Sequence, residues 1–286
     1  MRVFRGFAAL SFIVVTVLFV CLMVLLLALC LFFCPSDKVR QGIRGFMDRM
    51  INVWVAGNRW MIRRLNMISI ETIFDQQLEI ERNQWQIVIC NHQSWADVIV
   101  LQIALLDNVP PIKFFTKREF IWVPVLGFVL WILKFPYVLR ASTGLKRTEA
   151  SRNQLNAHSM HRARRQFHER PVSILIFCEG TRFNQEKYRA QQSSYRNLLR
   201  PKIGGVAFTI EALQSKTSHL LDVTLVYEGK TPNFWNFLCG KCRRVKVLTR
   251  KVLIKELLEP SIRSGIRELW QAKDREIDRL QSEFNS

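Results

Sequence analysis

The sequence predicts an α/β protein with a largely parallel central sheet, flanked by helices and preceded by an N-terminal membrane-anchor helix. One long apolar run occupies residues 7–33. Short apolar, β-branched runs at residues 86–90, 173–178 and 221–227 indicate buried strands, and helical patterns separate them. A strand–helix–strand–helix order with continuous apolar strands is typical of a parallel sheet that is covered on both faces.

The N-terminal apolar run is long enough to be a membrane anchor. Residues 6–33 contain no charged side chain, and at about 1.5 Å per residue a helix of this length exceeds the roughly 30 Å of hydrocarbon in a bilayer. The apolar core of a cleaved signal peptide is usually only about 7–15 residues long, which favours an uncleaved anchor. More basic residues follow the run closely than precede it, and this asymmetry favours a cytoplasmic body.

Three regions organise the chain. We assign residues 1–34 to the membrane anchor, 35–84 to an interfacial or linking helical segment, and 85–286 to the main domain. In the middle region, apolar and basic residues alternate as they do in a helix at a membrane interface, although a core helix fits equally well.

Two later segments also carry helical or apolar patterns. Residues 120–139 are apolar but interrupted by Pro124, Lys134 and Pro136, which favours a buried hairpin or contact with one leaflet over a second span. The tail, residues 261–284, is predicted to be a peripheral amphipathic helix. A further strand with alternating side chains is predicted at residues 244–248.

The chain is strongly basic, with a formal net charge of +19 over 286 residues. Such a surface suits anionic lipid headgroups, an anionic substrate or nucleic acid. The basic residues are dispersed and no nucleic-acid recognition motif is present, so no nucleic-acid partner is expected. Seven cysteines include one CxxC, Cys239 to Cys242, without the second pair of a zinc site, so no metal is expected.

The most informative motif is N-H-Q-S-W-A-D at residues 91–97, directly after the first predicted strand. His92 lies on the turn before an apolar helix, Asp97 lies in the first turn of that helix, and Ser94 is expected to be its N-cap. A histidine beside a carboxylate is the arrangement of a general base with its orienting acid. Taken alone, the pair also fits a helix in which Asp97 only complements the helix dipole.

A second motif follows the strand predicted at residues 173–178. It reads E-G-T-R and consists of Glu179, Gly180, Thr181 and Arg182. Because loops at the carboxyl ends of parallel strands line the ligand crevice, this motif is expected at the same sheet edge as His92. Gly180 permits a tight turn, and the planar guanidinium of Arg182 suits a phosphate.

Together the two motifs resemble the first and third signature blocks of the PlsC-type glycerolipid acyltransferases, and the resemblance covers roughly residues 85–250. Between them, Lys117 opens a segment that resembles the family's basic block. Residues 134–140 resemble its second block, G-x-x-F-I-x-R, in which only Arg140 matches strictly and Lys134 stands at the Gly position. The D-V-T sequence at residues 222–224 is closest to the bacterial YihG-type branch and to the eukaryotic lysophospholipid branch.

The resemblance implies a PlsC-like acyltransferase fold and an enzyme of phospholipid biosynthesis, at the bacterial inner membrane with its active site on the cytoplasmic side. The implied reaction moves a fatty acyl group from acyl-CoA or acyl-carrier protein to the sn-2 hydroxyl of 1-acylglycerol-3-phosphate, giving phosphatidate. His92 is the implied general base and Asp97 its orienting acid. No cofactor is expected, because the thioester co-substrate is already activated.

The resemblance also implies a substrate-binding set. Arg182 and Lys117 hold the phosphate of the lysophosphatidate-like acceptor, Arg140 is a further phosphate contact, and Lys202 is a weaker one. Glu179 and Gly180 shape the glycerol site, and Thr181 is a further substrate-binding residue. The alternatives are an acyltransferase for another lysophospholipid and a membrane-tethered protein that binds nucleic acid or anionic lipid without catalysis.

Overall fold

A computed structural model describes residues 1–75, 83–117, 122, 126–138 and 170–284. The helices in these residues are α1 (Arg2–Phe33), α2 (Asp37–Arg64), α3 (Asp97–Leu105), α4 (Leu126–Ile132), α5 (Gln185–Gln191), α6 (Ile203–Leu213), α7 (Phe234–Leu238), α8 (Ile254–Leu258) and α9 (Ile262–Ser282). The strands are β1 (Ser69–Phe74), β2 (Gln86–Cys90), β3 (Ile112–Phe114), β4 (Thr116–Lys117), β5 (Tyr137–Val138), β6 (Ser173–Phe177), β7 (His219–Tyr227) and β8 (Arg244–Leu253).

The main sheet has six strands in the order β1-β8-β7-β2-β6-β3. Every neighbouring pair is parallel except β7 with β8, which is antiparallel. The prediction of an α/β fold with a largely parallel sheet is therefore confirmed. Strands β4 and β5 form a separate two-stranded parallel ladder.

Helices cover both faces of the main sheet. One apolar cluster joins α1, α2, α3 and α4 to one face, and a second joins α6, α8 and α9 to the other. Strands β2 and β7 are buried at every residue, as expected for strands with two covered faces. The amphipathic tail is helix α9, which begins after its N-cap Ser261 and buries Trp270 among its apolar residues.

The region from residue 35 to 84 contains more than the predicted helix. Helix α2 ends at Arg64, and Ser69–Phe74 joins the main sheet as β1, parallel to β8. The sheet domain therefore includes residues before 85. Met47, Ile51 and Val55 are buried on one side of α2, so this helix contributes to the core, while the opposite side exposes Trp60.

Helix α1 packs along α2 in the opposite direction. At its start, Arg5 donates a hydrogen bond of 3.0 Å to the carbonyl of Asn66, just beyond the end of α2. At its end, the carbonyl of Leu31 accepts a 3.0 Å hydrogen bond from Arg40 of α2. Helix α1 is long and apolar enough to cross a membrane, and large apolar side chains are exposed along it, including Phe7, Leu18 and Phe32 among others.

The apolar stretch at residues 120–139 lies partly outside the described residues. Its described part contains helix α4, on which Phe128 and Trp131 are exposed. These two side chains stack with their ring centroids 5.7 Å apart. Helix α4 therefore exposes aromatic side chains on the face of the sheet that α1 also covers.

Candidate active site

His92 and Asp97 are in direct contact at the carboxyl end of β2. The Nδ1 atom of His92 lies 2.9 Å from Oδ2 of Asp97, whose side chain is fully buried. Because a carboxylate oxygen can only accept, Nδ1 is the nitrogen that carries the proton in the neutral imidazole, and this tautomer leaves the lone pair on Nε2. Within the described residues, Nε2 has no hydrogen-bond partner. His92 is therefore oriented as a base with one nitrogen available to a substrate.

The Asp97 carboxylate is itself held by three further donors. Its Oδ2 accepts the backbone N–H groups of Gln93 at 2.6 Å and Ser94 at 2.8 Å, and its Oδ1 accepts the hydroxyl of Tyr227 at 2.8 Å. Burial, with the nearby Asp97 charge, raises the pKa of Tyr227 well above its usual range, so the phenol stays protonated and can donate. Both oxygens of Asp97 are therefore fixed before any substrate binds.

The turn that carries His92 is tied to β7. The side-chain amide of Asn91 accepts from the N–H of Leu225 and donates to its carbonyl, both at 2.9 Å, which continues the pairing of β2 with β7 by one residue. Ser94 was predicted to be the N-cap of α3, and that prediction is wrong because an extra turn at residues 95–96 precedes the helix. The Ser94 hydroxyl instead accepts from the Ala96 N–H and donates to the Pro232 carbonyl.

Glu179 fixes the backbone of His92 from the neighbouring strand. It is fully buried, and its two oxygens accept the backbone N–H groups of His92 at 2.8 Å and Leu199 at 3.0 Å. Burial raises the pKa of Glu179 to about 8, although both N–H donors lower it. Both carboxyl oxygens bond to backbone N–H groups and the side chain is buried. Glu179 therefore shapes the site by holding the backbone of His92 and Leu199 in place.

An aromatic residue at the end of β6 packs against the His92 ring. Phe177, the last residue of β6, stacks on His92 with ring centroids 3.9 Å apart and planes inclined by 18°. The strands β2 and β6 are parallel and in register from Gln86 with Ser173 to Cys90 with Phe177. The two sequence motifs therefore leave the sheet at the same edge, as predicted.

Arg182 is linked to the histidine turn through its neighbours. The N–H of Phe183 donates to the His92 carbonyl at 2.8 Å. The Arg182 guanidinium lies over the ring of Trp95, 4.5 Å from its centroid, and both side chains are exposed. An exposed guanidinium held over an aromatic face keeps its N–H groups available to a phosphate.

Two lysines that follow the E-G-T-R motif in sequence contact the turn that the motif forms. Lys187, on α5, donates from Nζ to the Thr181 hydroxyl at 2.8 Å and to the Arg182 carbonyl at 3.1 Å. Gly180 has φ 66°, and a Cβ added there would lie 2.9 Å from Cδ of Lys202. The side chain of Lys202 therefore packs against Gly180, which needs glycine for both its conformation and this close approach.

The structure brings most of the predicted residues to one edge of the sheet. His92, Asp97, Glu179, Gly180, Thr181, Arg182 and Lys202 all lie there. Lys117 belongs to β4, and Arg140 lies outside the described residues. Sequence reasoning missed Tyr227, Phe177, Trp95 and Lys187. In the described part of the chain, no three His, Cys, Asp or Glu side chains are grouped to hold a metal ion.

Comparison with protein families identifies a match over residues 69–228 to the family described as acyltransferase. Among curated proteins, the chain is 24% identical to 1-acyl-sn-glycerol-3-phosphate acyltransferase 3 of Arabidopsis thaliana, over 95% of this chain and 74% of the plant protein. It is 24% identical to the human gamma form of that enzyme, over 71% of this chain and 56% of the human protein. It is 25% identical to the bovine delta form, over 57% of this chain and 43% of the bovine protein.

A solved structure has the same fold. The crystal structure of PlsC from Thermotoga maritima, a 1-acyl-sn-glycerophosphate acyltransferase, matches with a TM-score of 0.57 and 15% identity. The match covers 97% of this chain and 98% of that one, so the predicted PlsC-like fold is confirmed. Assignment to the YihG-type branch stays a prediction.

Proposed function

The chain belongs to the acyltransferase family, and we propose that it transfers a fatty acyl group from a thioester to the sn-2 hydroxyl of 1-acylglycerol-3-phosphate, giving phosphatidate. The names of its plant and mammalian relatives support this acceptor. The observation that carries the proposal is the His92 ring, bonded at Nδ1 to buried Asp97 and open at Nε2. A binding protein without catalysis has no use for such a base.

In the proposed reaction, Nε2 of His92 accepts the proton of the acceptor hydroxyl as its oxygen attacks the thioester carbonyl carbon. The new C–O bond forms, the C–S bond breaks, and the imidazolium returns the proton to the departing thiolate. An imidazole, with an ordinary pKa of about 6.5, suits both halves of this transfer near neutral pH. Asp97 stabilises the imidazolium while it exists and keeps the ring in one orientation.

Arg182 is proposed to bind the acceptor phosphate. Its guanidinium is exposed over Trp95, and its loop is bonded to the His92 carbonyl through Phe183. This hydrogen bond supports a fixed distance between a phosphate bound to Arg182 and Nε2 of His92. A fixed distance favours reaction at one hydroxyl of the glycerol backbone over the other. The resemblance adds Lys117 and Arg140 to this phosphate site, with Lys202 as a weaker contact.

We propose that the protein associates with a membrane through the layer that contains α1. Helix α1 packs along α2 and exposes a continuous set of apolar side chains. Exposed aromatic residues of α2 and α4 extend this surface: Phe46, Trp60, Phe128 and Trp131. Because α1 stays packed on the domain along its length, insertion into one leaflet suits it better than a crossing.

The proposed location is the cytoplasmic face of a bacterial inner membrane. The strongly basic chain supports the cytoplasmic side, because the cytoplasmic leaflet carries a negative surface potential, and the bacterial assignment rests on the resemblance described above. Protease digestion of sealed and of opened inner-membrane vesicles tests it. Cleavage of the domain in right-side-out vesicles before they are opened contradicts a cytoplasmic body.

The activity is tested by supplying acyl-CoA or acyl-carrier protein and a panel of lysophospholipids to the purified full chain. We expect diacyl product with 1-acylglycerol-3-phosphate and little with lysophosphatidylcholine. Faster transfer to another lysophospholipid assigns a different acceptor within the family. Product from neither acceptor with either donor contradicts the proposed function.

A further inference from the structure

Helix α9 packs on the face of the sheet opposite α1 and contacts the loop that joins α5 to α6. Its residue Trp270 is completely buried, and the indole N–H donates a 3.0 Å hydrogen bond to the carbonyl of Leu199 in this loop. The loop returns to β6 at Lys202, whose N–H donates to the Cys178 carbonyl at 2.7 Å. The Trp270 bond therefore joins α9 to a segment that lies beside the E-G-T-R motif.

Leu199 also connects this loop to the turn that carries His92. Its N–H donates to Oε2 of Glu179 at 3.0 Å, and Oε1 of Glu179 accepts the N–H of His92 at 2.8 Å. Trp270, Leu199 and Glu179 are each fully buried, and hydrogen bonds in such surroundings are stronger than those that water competes for. Trp270 is therefore connected to the backbone of His92 through two intervening residues.

A second side chain of α9 holds the same loop. The carboxylate of Asp274 accepts the N–H of Arg196 at 2.7 Å and the N–H of Asn197 at 2.8 Å. Asp274 lies four residues after Trp270, so the two side chains lie on the same side of α9. Because α9 bonds to the loop on both sides of Leu198, the position of Leu199 is set by this helix.

Helix α9 is fixed to the sheet by a buried lysine. Nζ of Lys273 lies 2.6 Å from Oδ1 of Asp222 and donates to the carbonyl of Val223. These two residues of β7 pair with the end of β2, the strand that leads to His92. The same Nζ atom lies 5.4 Å from the ring centroid of Trp270. The indole is therefore held relative to the strand end from which His92 leaves the sheet.

We propose that Trp270 is a positioning residue for acyl transfer, an inference that rests on the proposed function of His92. The indole N–H fixes Leu199, and the Glu179 carboxylate bridges Leu199 and His92. This connection keeps the backbone of His92 in the place where its ring meets Asp97. Because Trp270 acts through Glu179 on the position of the base, its loss lowers the rate of the chemical step without weakening substrate binding.

The test compares two conservative substitutions of fully buried residues on α9. Trp270→Phe removes the indole N–H and retains an aromatic ring. Ile277→Val is the matched control, since it removes one methyl group from the same apolar cluster and no hydrogen-bonding group. Both variants of the full chain are studied in detergent, by the kinetics of acyl transfer and by backbone hydrogen–deuterium exchange resolved to single residues.

In Trp270→Phe, the N–H groups of Leu199 and His92 should exchange about fivefold faster than in the wild type, the factor that one ordinary hydrogen bond provides. The value of kcat should fall about threefold, with KM for acceptor and donor unchanged. In Ile277→Val, kcat and both exchange rates should match the wild type. When Glu179→Gln is already present, Trp270→Phe should lower kcat by a smaller factor, because part of the connection is already lost.

Equal exchange rates and equal kcat in Trp270→Phe and Ile277→Val overturn the proposal, because Trp270 is then an ordinary core residue. Additive effects of Trp270→Phe and Glu179→Gln also overturn it. If Trp270→Phe does not fold, Asp274→Asn, which weakens the bonds of the same loop, decides by the same measurements. If the wild type transfers no acyl group, the proposed function fails separately. Faster exchange of the His92 N–H then still supports the connection, and unchanged exchange overturns it.

Discussion

The hydroxyl of Tyr227 donates a 2.8 Å hydrogen bond to Oδ1 of Asp97, across 130 residues of sequence. Oδ2 of the same carboxylate bonds to His92. Tyr227 therefore acts on the proposed base through Asp97 and has no need to touch a substrate. Strand β7 brings it there because β7 runs parallel to β2 and continues past the residue that pairs with Cys90.

Tyr227→Phe removes this donor while keeping the ring. A hydrogen bond to a charged group contributes about 1.5–3 kcal/mol to stability, so we expect the free energy of unfolding to fall by about 1–3 kcal/mol. We expect kcat/KM to fall because the Asp97 carboxylate, and with it the His92 ring, is held less firmly in its orientation. With one donor fewer, Asp97 stabilises the imidazolium more strongly, so the acidic limb of the pH–rate profile should move to higher pH. The control is Tyr195→Phe, which removes the hydroxyl of another buried tyrosine and should leave the pH of the acidic limb unchanged. If the acidic limb of Tyr227→Phe lies at the same pH as that of the wild type, the hydrogen bond from Tyr227 to Asp97 contributes to stability and does not act on His92.

Trp95 and Arg182 should act together on acceptor binding. Arg182→Gln should raise KM for 1-acylglycerol-3-phosphate about tenfold with a small change in kcat, because a phosphate contact is present in both ground and transition states. Trp95→Ala removes the aromatic face and should raise the same KM by a smaller factor, whereas Trp95→Phe keeps most of the contact. A double-mutant cycle should give a coupling of about 0.5–1 kcal/mol. Strictly additive effects, or a loss confined to kcat, contradict this assignment.

Glu179→Gln should change how stability depends on pH. In the folded chain burial raises the pKa of Glu179 to about 8, from 4.5. Between these pH values the folded state holds a proton that the unfolded state has lost, so the free energy of unfolding falls as pH rises through this window. The glutamine has no such proton. The stability of the wild type relative to Glu179→Gln should therefore fall from about pH 5 to pH 8, as measured by denaturant unfolding. A constant difference contradicts a raised pKa.

Much of the sheet was predictable because its central strands are short, apolar and β-branched. Residues 86–90, 173–178 and 221–227 were predicted as strands and form β2, β6 and β7. Strand β1 was missed because it directly follows a long helical pattern and has no run of buried apolar residues to distinguish it from that pattern. Strand β3 was missed because three residues at an edge carry little periodicity.

The site was predictable where its residues share a local motif. His92 and Asp97 are five residues apart, and the E-G-T-R motif leaves an adjacent parallel strand, so sequence order and sheet topology place them together. Tyr227 and Phe177 depend on register between strands distant in sequence, which spacing does not provide. Their one signal was an aromatic residue at or near the carboxyl end of a predicted parallel strand. Trp95 lay within the first motif, but its contact with Arg182 follows only from the folded turn.

The most direct test of the account is the rate of acyl transfer by His92→Ala, with 1-acylglycerol-3-phosphate and acyl-CoA, or acyl-carrier protein if that is the active donor. Loss of a general base should lower kcat by at least about 10²-fold. Membrane binding should stay near that of the wild type because, among the described residues, none of the contacts of the His92 side chain is with α1. The chain should remain folded because Asp97 keeps its bonds to Gln93, Ser94 and Tyr227. A folded His92→Ala chain that still transfers acyl groups at close to the wild-type rate contradicts His92 as the base.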